Sequence, residues 1–276
     1  MSTLEQDSLW RERVEQIDSP IDEIRMPHAT AVAGDMDQDQ EWCEVLIDGE
    51  RRRIRFHDYD EVYKIPGLYE EIFYEKLKCC SPYRVVKLLS DTAIDFGQQM
   101  ASLRVLDVGA GNGMVGDELA QHGVETILGI DLIEEAKQAA QRDRPGLYQD
   151  YFAADLTDLP MPVEETILKA NLNCLTTVAA LGFGDIPPLA FLKALVLIDT
   201  PGWVAFNIKA DFLRNEDPSG FDRLIRCLIR NEFIQVQAYR RYQHRVSITG
   251  EPLYYVAMVA TKEKKVHCDL LTEWGI

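Results

Sequence analysis

The 276-residue sequence predicts an α/β fold: a mostly parallel sheet with helices on both faces, closed by an antiparallel C-terminal β-hairpin and preceded by an extension containing another hairpin. Three observations carry this. From Leu103 onward, short apolar runs alternate with helical patterns, as parallel strands joined by crossover helices require. A glycine-rich turn, Gly109-Ala-Gly111-Asn-Gly113, separates the first of these strands from its helix. Near the end, Ile234 to Tyr242 and Leu253 to Thr261 are β-rich runs joined by about ten residues. That is too short for a helical crossover, so they pair antiparallel.

In chain order, residues 1 to about 40 read as irregular or weakly helical, with an Asp- and Gln-rich tract from Gly34 to Glu41. Cys43 to Ile47 and Glu50 to Phe56 flank Asp48-Gly49, a two-residue loop whose chemistry suits a type I′ hairpin turn. Tyr59 to Tyr74 is rich in aromatic and acidic residues. Ser81-Pro82 opens a helix carrying Val85, Val86, Leu88 and Leu89, since Pro is accommodated in a first turn that lacks an N–H partner anyway. Leu103 to Val108 is then a strand, Met114 to His122 a helix, Thr126 to Ile130 a strand, Ile133 to Arg142 a helix and Tyr148 to Ala154 a strand. A strand near Cys174 to Val178, a helix near Pro188 to Ile198, a strand at Trp203 to Ile208 and a helix at Phe221 to Phe233 lead into the final hairpin.

Charge divides the chain. The first 50 residues hold 14 Asp and Glu against Arg11, Arg13 and Arg25, whereas the whole chain has 46 acids and 29 bases for a net charge of −17. Residues 1–69 read as an acidic extension and residues 70–276 as the main domain. The excess of acid opposes nucleic-acid binding, which relies on Lys and Arg to neutralise phosphates. No apolar run reaches the ~18 residues of a membrane helix, and Met1 to Val14 resembles neither a secretory signal nor a transit peptide. The expected location is cytoplasmic, with no membrane partner. Six cysteines form no C-x-x-C pair and the histidines no H-E-x-x-H, so neither a disulfide framework nor a metal site is expected.

The turn after the first strand carries the chemistry. Glycine tolerates positive φ and lets a ligand approach the backbone, and the following helix N-terminus attracts anions. Such a loop suits a pyrophosphate or an amino-acid carboxylate. Gly111-x-Gly113-x-x-Gly116, with Asp131 twenty residues on, matches the dinucleotide fingerprint. Its register is poor, because the strand ends near Val108 and the first glycine after it is Gly109.

Asp107-Val-Gly109-Ala-Gly111-Asn-Gly113 resembles motif I of the class I S-adenosylmethionine-dependent methyltransferases. Gly129-Ile-Asp131-Leu132 is similar to the end of their second strand, and Ala153-Ala154-Asp155-Leu156 to the end of their third. The resemblance covers roughly residues 70 to 262 and implies a Rossmann-like seven-stranded sheet with S-adenosylmethionine as cofactor. It implies an amino-acid end of the cofactor over Gly109, Ala110, Gly111 and Gly113 beside Asp107, ribose hydroxyls on Asp131 with Leu132, and adenine on Asp155 and Leu156. Val178 falls at the end of the fourth strand, near the methyl group. A sulfonium favours an aromatic face, worth ~0.5–2 kcal/mol, and Tyr69 and Tyr74 are the candidates. Tyr74, eight residues before Pro82, best fits the family's tyrosine ahead of its first helix.

The acceptor is less legible. Asp185-Ile-Pro-Pro188 resembles the Asp/Asn-Pro-Pro-aromatic motif of amino methyltransferases but ends in Pro188. Were a base needed, His244, Asp185 and Tyr254 are contributors to consider; no catalytic residue is assigned. The hairpin and the Tyr59 to Tyr74 segment are expected to cover the acceptor pocket. Arg51, Arg52, Arg53 and Arg55 read either as an anion-recruiting patch or as a solvated strand face. The expected acceptor is a small molecule, with a protein acceptor or a non-catalytic S-adenosylmethionine-binding role as alternatives and an NAD-dependent oxidoreductase last.

Overall fold

The computed structural model describes residues 16–27, 40–181, 186–210 and 219–276. Two sheets form. The larger has seven strands in the order β6-β5-β4-β7-β8-β10-β9. These are β4 Arg104–Val108, β5 Thr126–Asp131, β6 Asp150–Ala153, β7 Cys174–Thr177, β8 Gly202–Lys209, β9 Ile234–Val246 and β10 Pro252–Lys262. β4 to β8 pair in parallel, while β10 runs antiparallel to both β8 and β9. The predicted hairpin is therefore present, its strands extending to Val246 and back to Pro252.

The smaller sheet has three strands, β1 Ile21–Arg25, β2 Trp42–Ile47 and β3 Glu50–Arg55. The Asp48-Gly49 hairpin forms as expected, with positive φ at both turn residues. β1 corrects the irregular reading of that segment: Ile24 and Arg25 pair with Val45 and Glu44, and a bulge after Ile21 interrupts the alternation that would have announced a strand.

Two helices follow the small sheet, α1 Tyr59–Lys64 and α2 Leu68–Glu70, the latter continuing as a π-helical turn from Glu71 to Lys76. Cys43, Val45, Ile54 and Phe56 of the hairpin bury with Val62, Leu68, Ile72, Phe73 and Leu77. One small core thus spans residue 69. It is tied to the large sheet by the backbone bond from Val246 N–H to the Leu77 carbonyl (2.8 Å) and by a buried ion pair, Arg245 Nη2 to Glu41 Oε2 (2.5 Å).

Helix α3 Ser81–Asp95 and α4 Met114–Gln121 cover one face of the large sheet, where Val85, Val86 and Leu89 meet Val105, Ile127 and Ala257. Pro82 occupies the first turn of α3 as predicted. Helix α5 Glu134–Asp143 packs against α1 and β6. On the opposite face α6 Met161–Lys169, α7 Pro188–Val196 and α8 Phe221–Arg230 close a core around Phe191, Phe206 and Phe221; α9 Leu270–Trp274 ends the chain. The sequence reading assigned no helix at α6, where Ile167 alone is fully buried and the apolar periodicity is correspondingly weak. No helix among the described residues is long and apolar enough to cross a membrane.

Candidate active site

β5 and β6 lie on one side of β4, and β7 and β8 on the other, so the chain reverses its direction of growth between β4 and β7. Ligands in open α/β sheets bind in the crevice outside the strand C-termini at such a point. A cleft of about 580 Å³ opens there. Its walls are four strand ends in succession: Val108 and Gly109 after β4, Ile130 to Ile133 after β5, Ala154 to Thr157 after β6, and Val178 to Ala180 after β7. Ile186, Pro187 and Ala190 at the start of α7 close one side. His57, Tyr59, Asp60, Tyr63 and Tyr69 cover it from the N-terminal module.

Seven of the predicted residues therefore meet on one surface: Gly109, Asp131, Leu132, Asp155, Leu156, Val178 and Tyr69. Asp131 accepts the Gly111 N–H at Oδ2 (2.9 Å) and the Ile133 N–H at Oδ1 (3.3 Å). Burial raises its pKa, and these backbone donors oppose the rise. Helix α5 starts at Glu134, so Asp131 closes a turn ahead of that helix without being its cap. Asp155 holds a short turn, with Oδ1 accepting both the N–H and the hydroxyl of Thr157 at 2.7 Å; these two bonds lower its pKa. Leu132 is exposed on the cleft wall.

Five of the predicted residues lie elsewhere, each for a local reason. Asp107 is fully buried beneath the loop, accepting the Tyr148 hydroxyl (2.8 Å) and the Thr176 hydroxyl (2.9 Å); burial lifts its pKa to about 7. Ala110 packs against Ala140 and Tyr151. A Cβ on Gly111 would meet the Tyr63 hydroxyl at 2.5 Å, and one on Gly113 would meet Arg144, Leu147 and Tyr148 at 3.1 to 3.2 Å. These glycines make room for the protein's own side chains. Tyr74 sits among the small core's apolar residues, a helical turn from Tyr69, its pKa raised well above normal by burial.

The N–H groups of the loop are also engaged: Gly109 and Ala110 donate to the Ile130 carbonyl (2.9 and 3.2 Å), Gly113 to the Ala110 carbonyl (2.9 Å) and Gly111 to Asp131. A pyrophosphate and an amino-acid carboxylate alike would find these donors already committed, the carboxylate of Asp131 taking the place of an external anion, so the expected seat for the amino-acid end on these N–H groups is not offered. Gly116, the third glycine of the dinucleotide pattern, gives space to Tyr148, whose hydroxyl would lie 2.7 Å from a Cβ there.

Tyr63, His57 and Asp60 line the cleft without having been singled out by the sequence, although Asp60 and Tyr63 belong to the Tyr59 to Tyr74 segment expected to cover it. Tyr59, Tyr63 and Tyr69 form a run of rings with centroids 6.0 and 5.2 Å apart. Burial raises the pKa of Tyr63 and of Tyr69, so both stay neutral phenols. The segment is clamped over the loop by Glu70, which accepts from Asn112 Nδ2 (2.6 Å) and Arg144 Nη1 (3.1 Å). Spacing within Tyr59–Tyr69 was the available signal, since positions four apart share a helix face, but nothing local shows which face meets the loop.

Of the remaining candidates, His244 and Tyr254 do not line the cleft. His244, on edge strand β9, is buried against Ser81 and Tyr255, where burial pushes its pKa well down; Tyr254 stacks under Arg241 on the outer strands. Asp185 lies outside the described residues. Arg51 and Arg53 face Glu23 and Glu44, Arg55 pairs with Asp58, and none of the four arginines lines the cleft. The charged strand is a solvated face.

Residues 105–179 match the family model described as a methyltransferase domain, a stretch running from β4 through the turn after β7. No curated protein matches the sequence. Among solved structures, a candidate RNA methyltransferase from Pyrococcus horikoshii is 16% identical, with 64% of this chain and 85% of that one covered at a TM-score of 0.46. Magnesium protoporphyrin IX methyltransferase from Synechocystis PCC 6803, with bound S-adenosylmethionine, is 18% identical over 66% and 79% of the two chains (TM-score 0.44). Ribosomal protein L11 methylase from Lactobacillus delbrueckii subsp. bulgaricus is 14% identical over 66% and 79% (TM-score 0.41).

Proposed function

We propose that the chain is a class I S-adenosylmethionine-dependent methyltransferase acting on a small-molecule acceptor inside the cleft; the methyltransferase-domain match over residues 105–179 and the seven-stranded sheet support the first half. One observation carries the acceptor assignment. The described cleft lining contains Asp60, Asp131 and Asp155, three tyrosines and no Lys or Arg. Such a surface favours a cation and offers no track for a phosphate backbone.

The residues present fit the cofactor. Asp131 keeps lone pairs beyond those used by Gly111 and Ile133, enough for charge-assisted bonds from two ribose hydroxyls. Exposed Leu132 and the neighbouring Leu156 give an apolar slot for adenine beside Asp155. Tyr69 and Tyr63 present neutral rings to a sulfonium. When bound, S-adenosylmethionine supplies an electrophilic methyl on a positive sulfur. The protein's own part is positional: the strand ends hold one reactant, α1 and α2 cover the other, and ordering both can contribute ~7–11 kcal/mol without a dedicated base. The apolar wall of Ala180, Ile186, Pro187 and Ala190 opposite the aromatic cover is the surface left for the acceptor.

Calorimetric titration with S-adenosylhomocysteine tests the cofactor half. Asp131→Ala should weaken binding by ~10–100-fold, as one or two hydrogen bonds to a charged group are lost at ~1.5–3 kcal/mol each. Affinity within twofold of the unmodified protein would remove Asp131 from the site. For the acceptor, a lysate supplied with methyl-labelled S-adenosylmethionine should carry label in its small-molecule fraction; label in protein or RNA refutes the proposal.

A further inference from the structure

A buried polar network stands directly behind the cleft. Asn207, on β8 and wholly buried, accepts the Ala179 N–H at Oδ1 (2.6 Å) and donates from Nδ2 to the Tyr242 hydroxyl (2.7 Å) and to Ser81 Oγ (3.1 Å). Ser81 Oγ lies 2.6 Å from the Tyr242 hydroxyl and 2.5 Å from His244 Nδ1. Proton counting closes if Ser81 donates to His244 Nδ1, Tyr242 donates to Ser81 and the amide donates to both hydroxyl oxygens. This requires a neutral imidazole, as its burial dictates. The amide then has one orientation, because flipping it would set its NH2 against the Ala179 N–H.

Ala179 needs such a partner. Its φ is +58°, left-handed backbone that an alanine adopts at a steric penalty. The turn it makes, Val178 to Ala180, is the cleft wall after β7, and it presses on the glycine loop: a Cβ at Gly109 would sit 2.7 Å from that of Ala180. Strain of this kind persists where surrounding structure over-determines it.

We propose that Asn207 is a positioning residue for methyl transfer, its buried amide holding the strained Val178–Ala180 turn in the shape that seats the cofactor, with Ser81, Tyr242 and His244 locking the amide. This rests on the methyltransferase reading of the cleft. It assigns a role in the site to β8, α3 and the edge strand β9, none of which touches the cleft.

The test is S-adenosylhomocysteine binding by calorimetry, together with amide hydrogen exchange at residues 178–180 and thermal unfolding. Asn207→Leu removes the acceptor at similar volume; it should bind about tenfold more weakly and exchange faster across the turn. Adding Ala179→Gly, which needs no clamp to keep a left-handed φ, should recover most of that loss. A role confined to folding would instead lower the melting temperature while leaving affinity and its response to Ala179→Gly unchanged, and that result overturns the proposal. Should Asn207→Leu not fold, Tyr242→Phe loosens the lock on the amide, removing the hydroxyl that accepts from Asn207 and donates to Ser81 while leaving the bond to Ala179: a threefold or so weaker affinity supports the clamp, and unaltered affinity with unaltered exchange overturns it. Absence of binding by the unmodified protein would instead defeat the cofactor reading itself.

Discussion

Gly109→Ala probes the packing that shapes the cleft. Gly109 has φ +67°, and a Cβ there would stand 2.7 Å from Ala180 Cβ and 3.1 Å from Ile186 Cδ1. The first contact is with an atom fixed to backbone, so it cannot swing aside; the second is with the end of a flexible side chain, which can. Left-handed backbone penalises a non-glycine residue by ~1–2 kcal/mol, and overpacking adds ~1–3 kcal/mol. The expected loss is about 2–5 kcal/mol, a large part of a typical ~5–15 kcal/mol stability. Urea denaturation followed by circular dichroism measures it, and calorimetry with S-adenosylhomocysteine reads the distortion of the cleft. The Gly109→Ala/Ala180→Gly double variant removes the collision but not the φ penalty, so it should recover the steric half alone. Wild-type stability in Gly109→Ala, or no recovery in the double variant, would refute the reasoning.

Two further outcomes follow from buried charge. Glu41→Ala leaves Arg245 unpaired in the interior and removes the acceptor of the Ile248 N–H, so unfolding should become easier by ~3–5 kcal/mol. Glu41→Ala/Arg245→Ala should regain part of that in a denaturant titration, and equal loss in both variants would rule out charge burial as the cause. Asp107 has its carboxyl raised by burial from 3.8 to about 7. A raised folded-state pKa gives stability that is fully present below pH ~4 and lost as pH climbs through ~7. Asp107→Asn, always neutral, should therefore show a flatter melting temperature between those limits than the unmodified protein; parallel curves would mean that Asp107 does not titrate there.

The glycines show how far local reading reached. Gly109-Ala-Gly111-Asn-Gly113 announced a tight turn after a strand, and the turn has positive φ at all three glycines. What they make room for was invisible, because Tyr63, Arg144 and Tyr148 arrive from positions 31 to 48 residues away in sequence. Tyr74 was the preferred tyrosine by its distance from Pro82, yet both tyrosines pack on the small core and only Tyr69 also lines the cleft.

The alternation of strands and helices, the Asp-Gly hairpin, the antiparallel ending and the strand-end positions of Asp131, Asp155 and Val178 were legible in the chain's local pattern. These follow from short-range periodicity and turn chemistry, which depend on neighbours within a few residues. Long-range packing set the rest: Asp131 fills the loop's own anion slot, Asp107 serves the core, Tyr63 rather than Tyr74 covers the loop, and Asn207 reaches Ala179. Each of these is a contact between segments far apart in the chain, selected by which buried polar groups must find partners once the sheet has assembled.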